Sequence, residues 1–206
     1  MLNVEEQLFD RVHDAQFIFR QLLDAMSRPG KMNSIGSSSM KIGLSSGAEQ
    51  VVASFALTLL DGEVSFFVNM ANHLVIQEFI RNNTFSRLTG AEDADYLFLD
   101  GKINDEEIAH LIQKVKKGTL IQPDFSSTLF ILVDGFSVEP AEDRLTLRGP
   151  GIEEKLICYV NGISSIWWEE REKANLEYPL GIDIILFTEA GEFLALPRTT
   201  IIKRGV

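Results

Sequence analysis

Three arginines stand where arginine can do chemistry. Arg28 lies in Ser27-Arg28-Pro29-Gly30, Arg148 opens Arg148-Gly149-Pro150-Gly151, and Arg198 follows proline in Pro197-Arg198-Thr199-Thr200. A guanidinium is a planar fork that grips a phosphate-like anion with two parallel hydrogen bonds. Glycine turns leave backbone N–H groups open to the same anion. Arg28, Arg148, Gly149, Gly151, Arg198, Thr199 and Thr200 are therefore the candidate ligand-binding residues. Each arginine also has a plainer reading. Arg28 suits the C-terminal end of a helix, where a cation complements the dipole, and Arg198 could pair with a carboxylate such as Asp183.

Other chemistry is poorly supplied. There is no Gly-x-Ser-x-Gly elbow and no phosphate-binding lysine loop, and Gly149-Pro150-Gly151 lacks the rest of a dinucleotide fingerprint. His13, His73 and His110 share no metal-ligand spacing, and Asp14 beside His13 points about 100° away on a helix. The single cysteine, Cys158, has no basic neighbour to activate it and no partner for a disulfide. No catalytic residue is assigned, and no metal site is expected.

The elements that must position these residues mix helix and strand along 206 residues, enough for one domain spanning 1–206 with its own core. Apolar residues at Val12, Ala15, Phe19, Leu22 and Met26, widened by Ile18 and Leu23, predict an amphipathic helix from about Asp10 to Ser27. Pro29-Gly30 stops it. The polar stretch Lys31 to Ser46 reads as a loop with a short irregular strand. Ser46-Gly47-Ala48-Glu49 has capping-box spacing and opens a buried helix to about Leu60. Val64 to Val68 reads as a strand, and Asn72 as the cap of a helix through about Arg81 that Asn82-Asn83 end. A short strand at Tyr96 to Leu99 precedes a helix capped by Asn104. The apolar run Thr128 to Val133 is the best central strand.

Beyond it, Arg144 to Arg148 reads as a strand ending in the Gly149-Pro150-Gly151 turn. A helix is predicted from about Ser164 to Lys173, with Trp168 its more exposed tryptophan. A hairpin through Ala190-Gly191 joins strands at about Ile182–Thr188 and Glu192–Leu196, with Thr199 to Ile202 as an extended tail. The fold expected is an α/β domain with a mixed sheet between helices. Self-association is expected through an apolar patch formed by Trp168 and the final hairpin.

Composition narrows the partners. A net charge of -11 disfavours nonspecific contact with nucleic acid and anionic membranes. No apolar run reaches the roughly 18 residues of a membrane span, and Met1 to Glu6 lacks the pattern of a secretory leader. With one cysteine, this points to a cytoplasmic protein. Fourteen phenylalanines against three tyrosines point to aromatics used in a core.

Taken in order, several stretches resemble the PhnH family, a subunit of the bacterial carbon–phosphorus lyase system for phosphonate breakdown. They are Asp14-Ala15-Gln16 with Phe19-Arg20 and Leu22-Leu23, Ala25 to Gly30, Leu147 to Ile152, Pro179 to Asp183, and Leu196 to Thr200. The resemblance implies a three-layer αβα sandwich similar to the large domain of pyridoxal-phosphate (PLP)-dependent transferases, without the Schiff-base lysine and without cofactor. It implies a homodimer in isolation and assembly with the G, I and J subunits. That machinery, with an ATPase-like L protein, is associated with displacing adenine from ATP by a phosphonate. The product is a ribose 1-alkylphosphonate 5-triphosphate, and carbon–phosphorus cleavage falls to the J subunit. The expected role is that of an accessory subunit assisting the transfer; the alternative is a purely structural subunit with no ligand site.

Overall fold

The computed structural model describes residues 8–137 and 143–205; the N-terminal residues read for a leader lie outside them. The fold is α/β and is built on a mixed seven-stranded sheet. Its strands are β1 (Asn33–Ser34), β2 (Ser65–Asn69), β3 (Arg87–Leu88), β4 (Tyr96–Asp100), β5 (Thr128–Leu132), β9 (Asp183–Phe187) and β10 (Glu192–Leu196), in the order β1-β10-β9-β5-β4-β2-β3. The five strands from β9 to β3 run parallel, and β10 and β1 add antiparallel pairs at one side. β5 is the middle strand, as its unbroken apolar run implies for a strand covered on both faces.

Alternation along these strands sorts side chains by size. Phe66, Phe98, Phe130, Phe187 and Phe193 all fall on one face, against α1 (His13–Ser27), α3 (Gly47–Leu59) and α4 (His73–Thr84). Phe55 of α3 is the hub there, with ring centroids 4.9 Å from Phe130 and 5.5 Å from Phe193. The opposite face carries the aliphatic set Leu97, Leu99, Leu129, Ile131, Ile184, Leu186, Leu194 and Leu196. It is covered by α5 (Asp105–Lys114) and α6 (Ile166–Ala174).

That second face is not purely helical, contrary to expectation. A separate antiparallel sheet of four strands, β6 (Gly135–Ser137), β7 (Asp143–Arg148), β8 (Leu156–Asn161) and β11 (Ile201–Gly205), lies against it in the order β11-β7-β8-β6. Leu145, Leu147, Cys158 and Val160 carry its core contacts. β7 was read correctly as extended, whereas the tail expected from Thr199 to Ile202 first turns, with the Thr200 N–H on Pro197 O at 2.8 Å, and is strand only over Ile201–Gly205; β8 and the second sheet were not foreseen. The signal was present: Cys158 and Val160 are buried at period two, with Ile157 exposed and Tyr159 and Asn161 half-buried, after the charged Glu153-Glu154-Lys155.

Four further readings are corrected. α1 buries Asp14, Ile18, Leu22 and Ala25 and leaves Val12 70%, Phe19 46% and Leu23 53% exposed. The inward face is turned because Asp14 goes in: its carboxylate accepts from Lys41 Nζ at 2.7 Å, Ser38 Oγ at 2.9 Å and the Asp10 N–H at 2.8 Å. Burial pushes that carboxyl's pKa upward, and Lys41 with the other donors more than offsets it, leaving it below the ordinary value.

Asn72 holds the N-cap position of α4 as expected, but its side chain makes no capping bond; its amide donates instead to Glu49 Oε1 at 2.8 Å, and the helix runs on to Thr84. Trp168 is 5% exposed, and Phe193 to Leu196 are fully buried. Those residues are core and form no exposed patch. A short helix α2 (Gly36–Ser39) occupies the stretch read as loop.

Candidate functional site

The three glycine- and proline-bearing turns, far apart in sequence, meet at one place. Gly30 donates its N–H to Ala195 O at 3.1 Å, tying the first turn to β10. Gly151 has φ +82°, and a Cβ there would lie 2.3 Å from Ser27 O and 2.9 Å from Pro29 Cδ. Gly149 has φ +138°, and a Cβ there would lie 2.8 Å from Thr199 O. The turn between β7 and β8 is thus wedged between the end of α1 and the link from β10 to β11. Only glycine combines positive φ with so close an approach of foreign backbone.

Arg198 is held by protein groups throughout. Nη2 donates to Asp183 Oδ2 at 2.6 Å and to Ser126 Oγ; Nε reaches Asp183 Oδ1 at 3.4 Å. Nη1 donates to Pro123 O at 2.8 Å and Pro179 O at 3.4 Å. The Arg198 N–H adds a bond to Asp183 Oδ1 at 2.7 Å. All five guanidinium N–H donors therefore have an acceptor, and the two side chains are only 16% and 14% exposed. The fork stitches the β10–β11 link to the start of β9 and to the loop before β5.

The other two arginines face solvent. Arg28 pairs with Asp24, one helical turn back, and Lys31 Nζ shares that carboxylate at 2.8 Å. Arg148 closes β7, exposed and without an ion pair among the described residues. Thr199 is half-buried and Thr200 buried.

A fourth arginine, passed over in the sequence, sits under the junction. Arg171 on α6 is 4% exposed and donates to Thr200 O at 3.1 Å, Pro197 O at 2.6 Å and Leu196 O at 3.3 Å. Burial draws its pKa down to about 10, against the field of Asp183, so it stays protonated at neutral pH. Glu169-Glu170-Arg171-Glu172-Lys173 reads as a solvated helix face, and only the flanking Trp167-Trp168 hinted that one side turns inward.

These turns lie within a match that runs almost the length of the chain. Residues 6–203 fit the family model described as bacterial phosphonate metabolism protein (PhnH). The chain belongs to the PhnH family. A relative from Stutzerimonas stutzeri, named as a putative C-P lyase subunit protein, HtxG, is 31% identical over 188 residues, covering 91% of this chain and 85% of the relative. Alpha-D-ribose 1-methylphosphonate 5-triphosphate synthase subunit PhnH of Rhizobium meliloti (strain 1021) is 27% identical over 199 residues, 95% of this chain and 93% of that one. The family is one of bacterial phosphonate metabolism.

What the PhnH junction does chemically is bind backbone to backbone and hold cations in fixed places. No group of three or more His, Cys, Asp or Glu side chains that could hold a metal occurs among the described residues. Cys158 is buried, and burial pushes its thiol up to about 11. At pH 8 it is therefore protonated and a poor nucleophile. Alkylation by iodoacetamide at that pH is expected to be at least tenfold slower in the folded chain than in urea, as followed by mass spectrometry. Equal rates would refute the burial argument.

Proposed function

We propose that this chain is a largely non-catalytic accessory subunit that assists the ATP-dependent transfer in which a phosphonate displaces adenine. The ribose 1-alkylphosphonate 5-triphosphate would form on the assembled complex, with the G, I and J subunits as partners, in the cytoplasm. The observation that carries this reading is the convergence of the three turns onto a backbone junction, in a chain matched to the family over residues 6–203. Arg198 and Arg171 serve that junction from inside, whereas Arg28 and Arg148 remain exposed at its surface. The surface arginines are the ones able to meet a phosphate-bearing ligand without first giving up buried protein partners.

On the same reading, the fold would be related to the large domain of PLP-dependent transferases and would serve a task without that cofactor. In isolation the chain would pair with itself through the apolar stripe that α1 leaves uncovered at Val12, Phe19 and Leu23. The decisive experiment is reconstitution. Complex assembled with this subunit is expected to release adenine from ATP and methylphosphonate, complex lacking it to release little, and the subunit alone none. Turnover by the subunit alone, or full turnover without it, would overturn the proposal. Arg148→Gln should assemble normally and lower adenine release severalfold; an unchanged rate would favour the purely structural role.

A further inference from the structure

Five buried side-chain polar atoms among the described residues have no hydrogen-bond partner in the protein: Thr89 Oγ1, Asn161 Oδ1, Trp168 Nε1, Arg171 Nε and Thr200 Oγ1. Buried polar groups are nearly always satisfied, so such atoms call for an explanation. The last three belong to residues lining a single cavity of about 200 Å³ between α6 and the 198–202 segment. Trp168, Arg171 and Thr200 are 5%, 4% and 2% exposed, so their surroundings are set by the fold and not by bulk water.

The chemistry of the lining is one-sided. An indole N–H and a guanidinium N–H can only donate, and a threonine hydroxyl can donate as well. Arg171 makes no ion pair among the described residues, and the nearby Asp183 is taken by Arg198. A buried cation without a counter-charge is costly. The remaining polar lining is already committed: both ends of the Asn175 amide bind Ile182, and the Arg198 donors are full. Glu172, the only carboxylate in the lining, is exposed. Leu176, Ile201 and Ile202 supply an aliphatic wall. The volume falls short of the roughly 300–1,000 Å³ that drug-sized ligands occupy, which excludes a nucleotide.

We propose that this cavity binds a compact oxyanion, phosphate or a short-chain alkylphosphonate, through Trp168 Nε1, Arg171 Nε and Thr200 Oγ1. The site is separate from the solvent-facing Arg28 and Arg148, and the inference stands whether or not the complex needs this subunit for transfer. Since Arg171 also bonds Leu196 O, Pro197 O and Thr200 O, occupancy would stiffen the link between the two sheets.

The test uses the purified full chain, with inorganic phosphate and methylphosphonate as probes against chloride at matched ionic strength. Saturable thermal stabilisation and a calorimetric isotherm in the millimolar range or tighter are expected. Thr200→Val and Trp168→Phe keep the shape of the wall and remove one orphan donor each. Both should fold with midpoints near or above wild type and bind about ten- to a hundredfold more weakly. Tighter binding of methylphosphonate would assign the aliphatic wall to the alkyl group, and tighter binding of phosphate would assign the inorganic ion. No saturable effect beyond chloride, or unchanged affinity in both variants, would overturn the proposal and leave ordered water as the partner of these atoms.

Discussion

Gly151→Ala is expected to unfold at markedly lower urea than wild type, corresponding to a loss of about 3 kcal/mol. Two costs combine. A residue with Cβ at φ +82° meets its own carbonyl, a penalty of roughly 1–2 kcal/mol. The new methyl would also sit 2.3 Å from Ser27 O, which is backbone at the end of α1 and cannot swing aside like a side-chain tip. Forcing atoms into a filled space adds roughly 1–3 kcal/mol. The matched control is Gly43→Ala, where a Cβ meets nothing within 4 Å and φ is not in the left-handed region. That change should stay within about 0.5 kcal/mol of wild type. Equal midpoints for the two variants would mean that the 148–151 turn does not clasp the 27–30 turn in solution.

The clasp was invisible in the sequence for a physical reason. Each turn could be read locally: Pro29 stops α1, and Pro150-Gly151 demands positive φ. Nothing local says that turns so far apart in the chain touch. The same limit separates what was legible in the elements from what was not. Thr128 to Val133 declared a central strand because an unbroken apolar run fits only a strand covered on both faces.

α1 was legible as a helix but not in its orientation, because its apolar residues span too much of its girth to choose a face. The choice was made by Lys41 and Ser38, which give Asp14 a reason to go inward. Arg171 shows the converse. Its sequence neighbours Glu169, Glu170 and Glu172 are acidic, which gave no reason to place it inside, yet it lies buried and donates to the carbonyls of 196, 197 and 200. Buried charge is placed by partners from elsewhere in the chain, and sequence pattern carries no record of them.

Arg198 gives the second large expected effect, and its partners decide how the experiment must be built. Arg198→Met should cost about 3 kcal/mol or more, because it strands the Asp183 carboxylate, only 14% exposed, without its counter-charge. It also leaves Pro123 O, Pro179 O and Ser126 Oγ short of a donor. If the stranded charge is the main cost, Arg198→Met combined with Asp183→Asn should be more stable than Arg198→Met alone, since an amide is far cheaper to bury unpaired. The side-chain amide that Asp183→Asn introduces can still accept from the residue-198 N–H, as Asp183 Oδ1 does at 2.7 Å in the wild type.

Arg198→Lys discriminates the junction role from ligand capture. Lysine keeps the charge but offers a single point in place of a fork, so it cannot reach Asp183 and the Pro123 carbonyl together. A junction arginine therefore predicts that Arg198→Lys is destabilised by more than about 1 kcal/mol and that adenine release by the complex falls only as far as assembly does. A ligand arginine predicts the reverse: normal urea midpoint, normal assembly and lost adenine release. Five protein acceptor contacts around one guanidinium favour the first outcome. A stable, fully assembled and inactive Arg198→Lys complex would overturn it.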